Sequence, residues 1–89
     1  MPNDYFLEQN YPIPFNPSTT TRYSIAERGD VELKVYDALG TLVETLVNRE
    51  QEAGVYQVVF NPINISSGVY FYQIRTNSFV ETKKLVLLK

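Results

Sequence analysis

The sequence predicts an all-β fold: an antiparallel, immunoglobulin-like β-sandwich of about six to seven strands, with an open barrel as its main rival. Three observations carry that prediction. Apolar and polar residues alternate with period two in several short runs, most cleanly in Val31-Glu32-Leu33-Lys34-Val35, the spacing of a strand with one buried face. Turn-forming residues separate those runs at intervals of about ten residues, as the strands of a small sandwich require. Finally, no stretch sustains the 3.6-residue period long enough for a helix of respectable length.

Residues 5–18 hold three of the five prolines. Each withholds a backbone donor and pushes its predecessor toward extended geometry, so this segment is expected to be a lead-in rather than a central strand. Tyr11 and Phe15 are expected to tuck into the sandwich as a clamp, while Pro12, Pro14 and Pro17 lower the entropy lost when the segment orders. From Thr19 the composition turns β-branched, with Thr21, Tyr23 and Ile25 on one face. A turn over residues 26–30 leads to a strand at 31–37 whose inner face is Val31, Leu33 and Val35. Asp37-Ala38-Leu39-Gly40 then supplies turn chemistry, with Gly40 able to adopt a positive φ.

Residues 42–47 are ambiguous by period, since apolar positions 42, 43, 46 and 47 also fit one face of a helix. The strand reading is preferred because Gly40 and the polar run 48–52 leave room for little more than two helical turns. After Gly54, residues 55–60 place Tyr56, Val58 and Phe60 on one face, and Asn61-Pro62 ends that strand. Following Gly68, residues 69–76 alternate with Tyr70, Tyr72 and Ile74 alike. Asn77-Ser78 is a plausible two-residue hairpin into a last strand over 79–88. In domain terms, residues 1–18 are a Pro-rich lead-in packed on the sandwich, and residues 19–89 are the sandwich itself.

Composition excludes several function classes. With no cysteine there is neither a disulfide framework nor a thiolate metal site, and with no histidine the usual general base and commonest metal ligand are missing. A formal net charge of −2, from 8 basic and 10 acidic side chains, offers no long-range attraction to nucleic acid. Met1-Pro2-Asn3-Asp4 lacks the basic and apolar regions of a signal peptide, so the chain is read as a fragment of a longer polypeptide whose signal peptide lies elsewhere. No apolar run approaches the ~20 residues of a membrane-spanning helix.

The order of its short motifs resembles a known family. Gln9-Asn10-Tyr11-Pro12, Pro14-Phe15-Asn16-Pro17, Tyr23-Ser24-Ile25, Val35-Tyr36-Asp37 with Leu39-Gly40, Ala53-Gly54-Val55-Tyr56, Ser67-Gly68-Val69-Tyr70-Phe71-Tyr72 and Thr82-Lys83-Lys84 before the apolar end together look like the type IX (Por) secretion system C-terminal sorting domain, of the A type. The pattern is also related to the immunoglobulin-like domain of the flagellar hook-capping protein. Two positions depart from it: Ile13 stands where an Asn commonly separates the prolines, and Thr41 stands where a basic residue usually follows Gly40.

The resemblance implies a sorting signal that directs attached cargo across the outer membrane, with no catalytic activity and no cofactor of its own. Its implied partners are the type IX machinery, a sortase-like peptidase that cuts upstream of the domain, and the cargo joined to its N-terminal end. Its implied location is the periplasm in transit to the cell surface or the medium. An accessory structural or carbohydrate-binding β-sandwich of a larger extracellular protein is the alternative.

Among single features, Lys83, Lys84, Leu85, Val86, Leu87, Leu88 and Lys89 are the recognition candidates, because an edge strand offers unpaired backbone and local positive charge. Lysines on such an edge also guard against aggregation, and the exposed strand could still pair weakly with a second copy. The sorting reading expects this lysine strand to be needed for export yet largely dispensable for folding. Pro12, Pro14, Phe15, Pro17, Asp37, Gly40, Gly54, Gly68, Tyr70 and Tyr72 are read as structural, with Tyr70 and Tyr72 in the core and Phe71 on the opposite face, where it could join Tyr36 in a contact patch. Asp30, Glu32 and Asp37 are too dispersed for a calcium site, and Asn64-Ile65-Ser66 is a glycosylation triplet too short to carry weight.

Overall fold

The computed structural model describes residues 4–14 and 17–88. Seven antiparallel strands form two sheets: β1 (Phe6–Leu7), β2 (Thr19–Ile25) and β5 (Gly54–Phe60) in the order β1-β2-β5, and β3 (Gly29–Asp37), β4 (Leu42–Gln51), β6 (Gly68–Arg75) and β7 (Val80–Leu87) in the order β4-β3-β6-β7. The fold is the expected sandwich. The first strand lies in the Pro-rich segment, where Phe6 pairs with Ser24 and Leu7 with Tyr23, and Leu7 is buried in the core.

Alternation accounts for the core. Val31, Leu33 and Val35 of β3 face Tyr23, Ile25 and Phe60 of the other sheet. Tyr70, Tyr72 and Ile74 of β6, with Leu85 and Leu87 of β7, complete it. Removing each such apolar side chain from water contributes roughly 1.5–3 kcal/mol, the main stabilising term available without a disulfide. Tyr56 and Val58 are only partly buried and pack against the core margin, with the Tyr56 ring stacked on Tyr23 at 5.4 Å.

β4 runs to Gln51, so the polar stretch expected to end it is part of the strand. Two register irregularities opposite β3 explain the ambiguous pattern: Leu46 and Val43 are extra residues where the pairing slips from Val47 to Thr45 and from Glu44 to Leu42. A bulge puts two consecutive residues opposite one, which breaks the period-two signal without creating a helix. The far end of β4 pins the two sheets together, since the buried Tyr23 hydroxyl donates to Gln51 Oε1 at 2.7 Å.

The turn after β3 follows its predicted chemistry. Asp37 Oδ1 accepts from the amides of Leu39 and Thr41, both at 2.9 Å, and Gly40 sits at φ 86°, a left-handed conformation that costs glycine little.

The proposed Tyr11 clamp is overturned, because Tyr11 is 79% exposed. Its amide and carbonyl pair with Thr20, and that register turns the ring to the outside of the β2 sheet. Phe15 lies outside the described residues. Pro12, Pro14 and Pro17 are all exposed, and the Tyr11-Pro12 and Ile13-Pro14 peptide bonds are cis.

Candidate functional site

β7 is the edge strand of the four-stranded sheet, and it sorts the recognition candidates by face. Leu85 and Leu87 point inward and are 2% and 1% exposed. Lys83 shares their parity, but at the margin of the core; its ammonium pairs with Glu81 Oε2 at 3.4 Å. Charges on the inward face of an edge strand are a known barrier to adding another strand there.

Lys84 and Val86 take the opposite, outer face. Lys84 is exposed beside Phe71, its register partner, and Val86 is half-buried beside Val69. Leu88 is exposed just past the strand end, and Lys89 lies outside the described residues. The expectation that this strand is dispensable for folding therefore fails for its leucines. Truncating a buried Leu to Ala costs about 2–5 kcal/mol, so only Lys83, Lys84, Val86 and Leu88 can be altered without opening the core.

The free edge of β7 meets the lead-in. Lys84 C=O points away from β6 and accepts a hydrogen bond from Gln9 Nε2 at 2.6 Å. In an antiparallel ladder a residue's N–H and C=O point the same way, so the backbone of Thr82, Lys84 and Val86 faces outward while that of the residues between them pairs with β6.

Gln9 is held in place from behind. The Tyr72 hydroxyl donates to Glu8 C=O at 2.7 Å and accepts from the Asn10 amide at 2.8 Å. The buried Asn10 side chain donates to Thr19 Oγ1 at 2.9 Å. Asn10 and Tyr72, more than sixty residues apart in sequence, thus form one polar knot that fastens the lead-in to the final sheet. Burial raises the Tyr72 hydroxyl pKa above its ordinary 10.0, with the bonds to Thr21 and Asn10 acting in the opposite direction.

The sequence reading did not single out Gln9 and Asn10 as contacts. The available signal was weak: an Asn within a Pro-rich segment folds the chain through its side chain, but nothing local identifies a partner sixty residues away.

The other sequence candidates do not converge. Asp30 opens β3, Glu32 pairs with Lys34 on its outer face at 3.6 Å, and Asp37 caps the following turn. Among the described residues no group of three acidic side chains is placed to hold a metal ion. Tyr70 and Tyr72 are buried, whereas Phe71 is half-buried on the outer face directly across from Tyr36. Gly54 and Gly68 open β5 and β6.

Comparison with known proteins adds two findings. The family model described as "Secretion system C-terminal sorting domain" matches residues 9–88. Dimeric latent PorU from Porphyromonas gingivalis has a similar fold, with a TM-score of 0.72 at 17% identity; the likeness covers 96% of this chain and 9% of that one. The chain thus spans about a tenth of that protein's length. No curated protein matches the sequence.

Proposed function

We propose, from the premise that this chain belongs to the secretion system C-terminal sorting domain family, that the signal it carries for type IX secretion is read at the exposed side of β7. The observation that supports this is the division of that strand: two leucines anchor it in the core while Lys83, Lys84 and the outward backbone remain at a sheet edge. Such an edge can be recognised by backbone pairing, with side-chain contacts adding specificity. The core leucines hold the edge in fixed geometry, so a partner meets a preorganised surface and loses less freedom on binding.

The domain acts without catalysis. Its cargo is joined at the N-terminal end, and the machinery together with a sortase-like peptidase are its partners. The protein carrying it passes through the periplasm to the cell surface or the medium.

The test is export of a reporter bearing a signal peptide and this domain at its C-terminus, in a type IX-competent bacterium and in an otherwise identical secretion-null strain. Appearance outside the competent strain alone is the expected result. Retention of a folded, protease-resistant fusion in the periplasm of both strains would overturn the reading.

A further inference from the structure

The outer face of the four-stranded sheet is not uniformly polar, although a solvated face of an antiparallel sheet ordinarily is. The pairing register lays its side chains out in rows. At one end Glu32 lies beside Arg75, and in the next row Lys34, Gln73 and Thr82 are neighbours, with Gln73 Nε2 donating to Thr82 Oγ1 at 3.0 Å.

The following rows change character. Leu42, Tyr36, Phe71 and Lys84 stand side by side across all four strands, and Val69 pairs with Val86 beyond them. Leu42 and Val69 are 49% and 40% exposed. These side chains form a contiguous apolar patch, separated by the polar row of Lys34, Gln73 and Thr82 from the exposed Val80 at the other end of the face, and such a patch is the form a protein contact surface takes.

The charges on this sheet are arranged around that patch. Lys34 and Lys83 are neutralised by Glu32 and Glu81. Lys84 has no carboxylate within ion-pairing distance among the described residues, and it stands at the patch rim on the free edge. The adjacent carbonyl is held by the Gln9 amide, a donor supplied from outside the strand in the direction from which a neighbouring strand's N–H would come. A chain laid against this face would therefore find apolar neighbours for its side chains and one unpaired cation, while the Lys84 carbonyl stays with Gln9.

We propose that the apolar half of this face, with Lys84 at its rim, docks an extended segment of a partner protein that carries apolar side chains and a carboxylate placed to meet Lys84. This deepens the sorting reading, on which it rests, by assigning the face and the chemistry of the partner. A second copy is a poor occupant, because antiparallel pairing of two β7 strands centred on the patch brings Lys84 against its own counterpart, and like charges directly opposite are destabilising. A lipid surface fits no better. Recognition of anionic lipid takes clusters of about 4–8 basic residues, and the patch has one unpaired lysine in a chain of net charge −2.

The test uses the full chain as the C-terminal part of an exported fusion. Lys84→Glu and Phe71→Ser should each lower export about tenfold or more, as loss of a central interface contact does. Lys84→Arg, and Val59→Ser on the outer face of the other sheet, should leave export unchanged. Thermal unfolding of each purified domain establishes that the variants fold; Lys84 is exposed, so Lys84→Glu isolates recognition even if Phe71→Ser destabilises.

Wild-type levels of export for folded Lys84→Glu would overturn this proposal alone, whereas a wild-type fusion that is not exported removes the sorting reading and this proposal with it. Sedimentation showing a micromolar dimer abolished by Lys84→Glu would make a second copy the occupant and overturn the proposal. So would Lys84-dependent binding to phosphatidylglycerol vesicles, which would make the occupant a membrane.

Discussion

Replacing Tyr72 with Phe removes one oxygen atom and keeps the ring, so its effect reports the polar knot without a cavity. The side chain is 1% exposed, and its hydroxyl both donates to Glu8 C=O and accepts from the Asn10 amide. The two losses are unequal. Glu8 C=O keeps a second donor, Thr21 Oγ1 at 2.9 Å, so that side forfeits a net bond of about 0.5–1.5 kcal/mol.

The Asn10 amide is left without its partner in a buried position, a desolvation cost of about 1–3 kcal/mol. The expected total is about 1.5–4.5 kcal/mol, a large share of the stability of a domain this size. Urea unfolding should show a lower midpoint with an unchanged slope, and the melting temperature should fall by about 4–8 °C per kcal/mol. Tyr70→Phe is the control, since its hydroxyl makes one donated bond, to Ser66 C=O at 2.6 Å, worth about 0.5–1.5 kcal/mol. If Tyr72→Phe costs no more than Tyr70→Phe, the lead-in is not fastened as argued.

The remaining expectations can be checked on the same purified domain. Burial raises the hydroxyl pKa of both Tyr23 and Tyr72 above 10.0, so the folded state keeps protons that the unfolded chain releases. The stability this provides is complete below about pH 10 and is lost as pH rises through the folded values. Urea midpoints at about pH 8 and about pH 11 should therefore diverge, by less in Tyr23→Phe than in wild type; equal divergence would contradict the assignment. Leu87→Ala should cost about 2–5 kcal/mol, and a near-neutral result would place β7 outside the core. Gly40→Ala should cost about 1–2 kcal/mol through backbone strain at φ 86°, because no atom lies within 4 Å of the added Cβ; a stabilised variant would refute that conformation.

Sequence pattern sufficed where a strand's environment repeats every second residue. β3 and β6 were legible from Val31, Leu33 and Val35 and from Tyr70, Tyr72 and Ile74, because each strand has one face inside and one outside. β4 was harder to read because its bulges at Val43 and Leu46 shift the phase of the alternation midway. Tyr11 was misplaced for a different reason. An aromatic among prolines looks like a packing residue, but its pairing with Thr20 fixes which way the ring turns, and no local preference encodes that register. The candidate site was partly legible: the lysines and the edge position follow from composition and order, while the separation of Lys83 from Lys84 onto opposite faces follows from alternation.

The sequence by itself determined the segments of β2 to β7 apart from the far end of β4, the sandwich class, the turn at Asp37 to Gly40 and the family. These depend on short-range periodicity, backbone preference and motif order, all of which are properties of neighbouring residues. Tertiary structure alone decided that Tyr72 would hold Glu8 and Asn10, that Gln9 would cover the Lys84 carbonyl, and that Leu42, Tyr36, Phe71 and Lys84 would share one row. Each of these joins residues from distant segments, and their spacing in space is set by strand order and register, which come from packing the whole core at once.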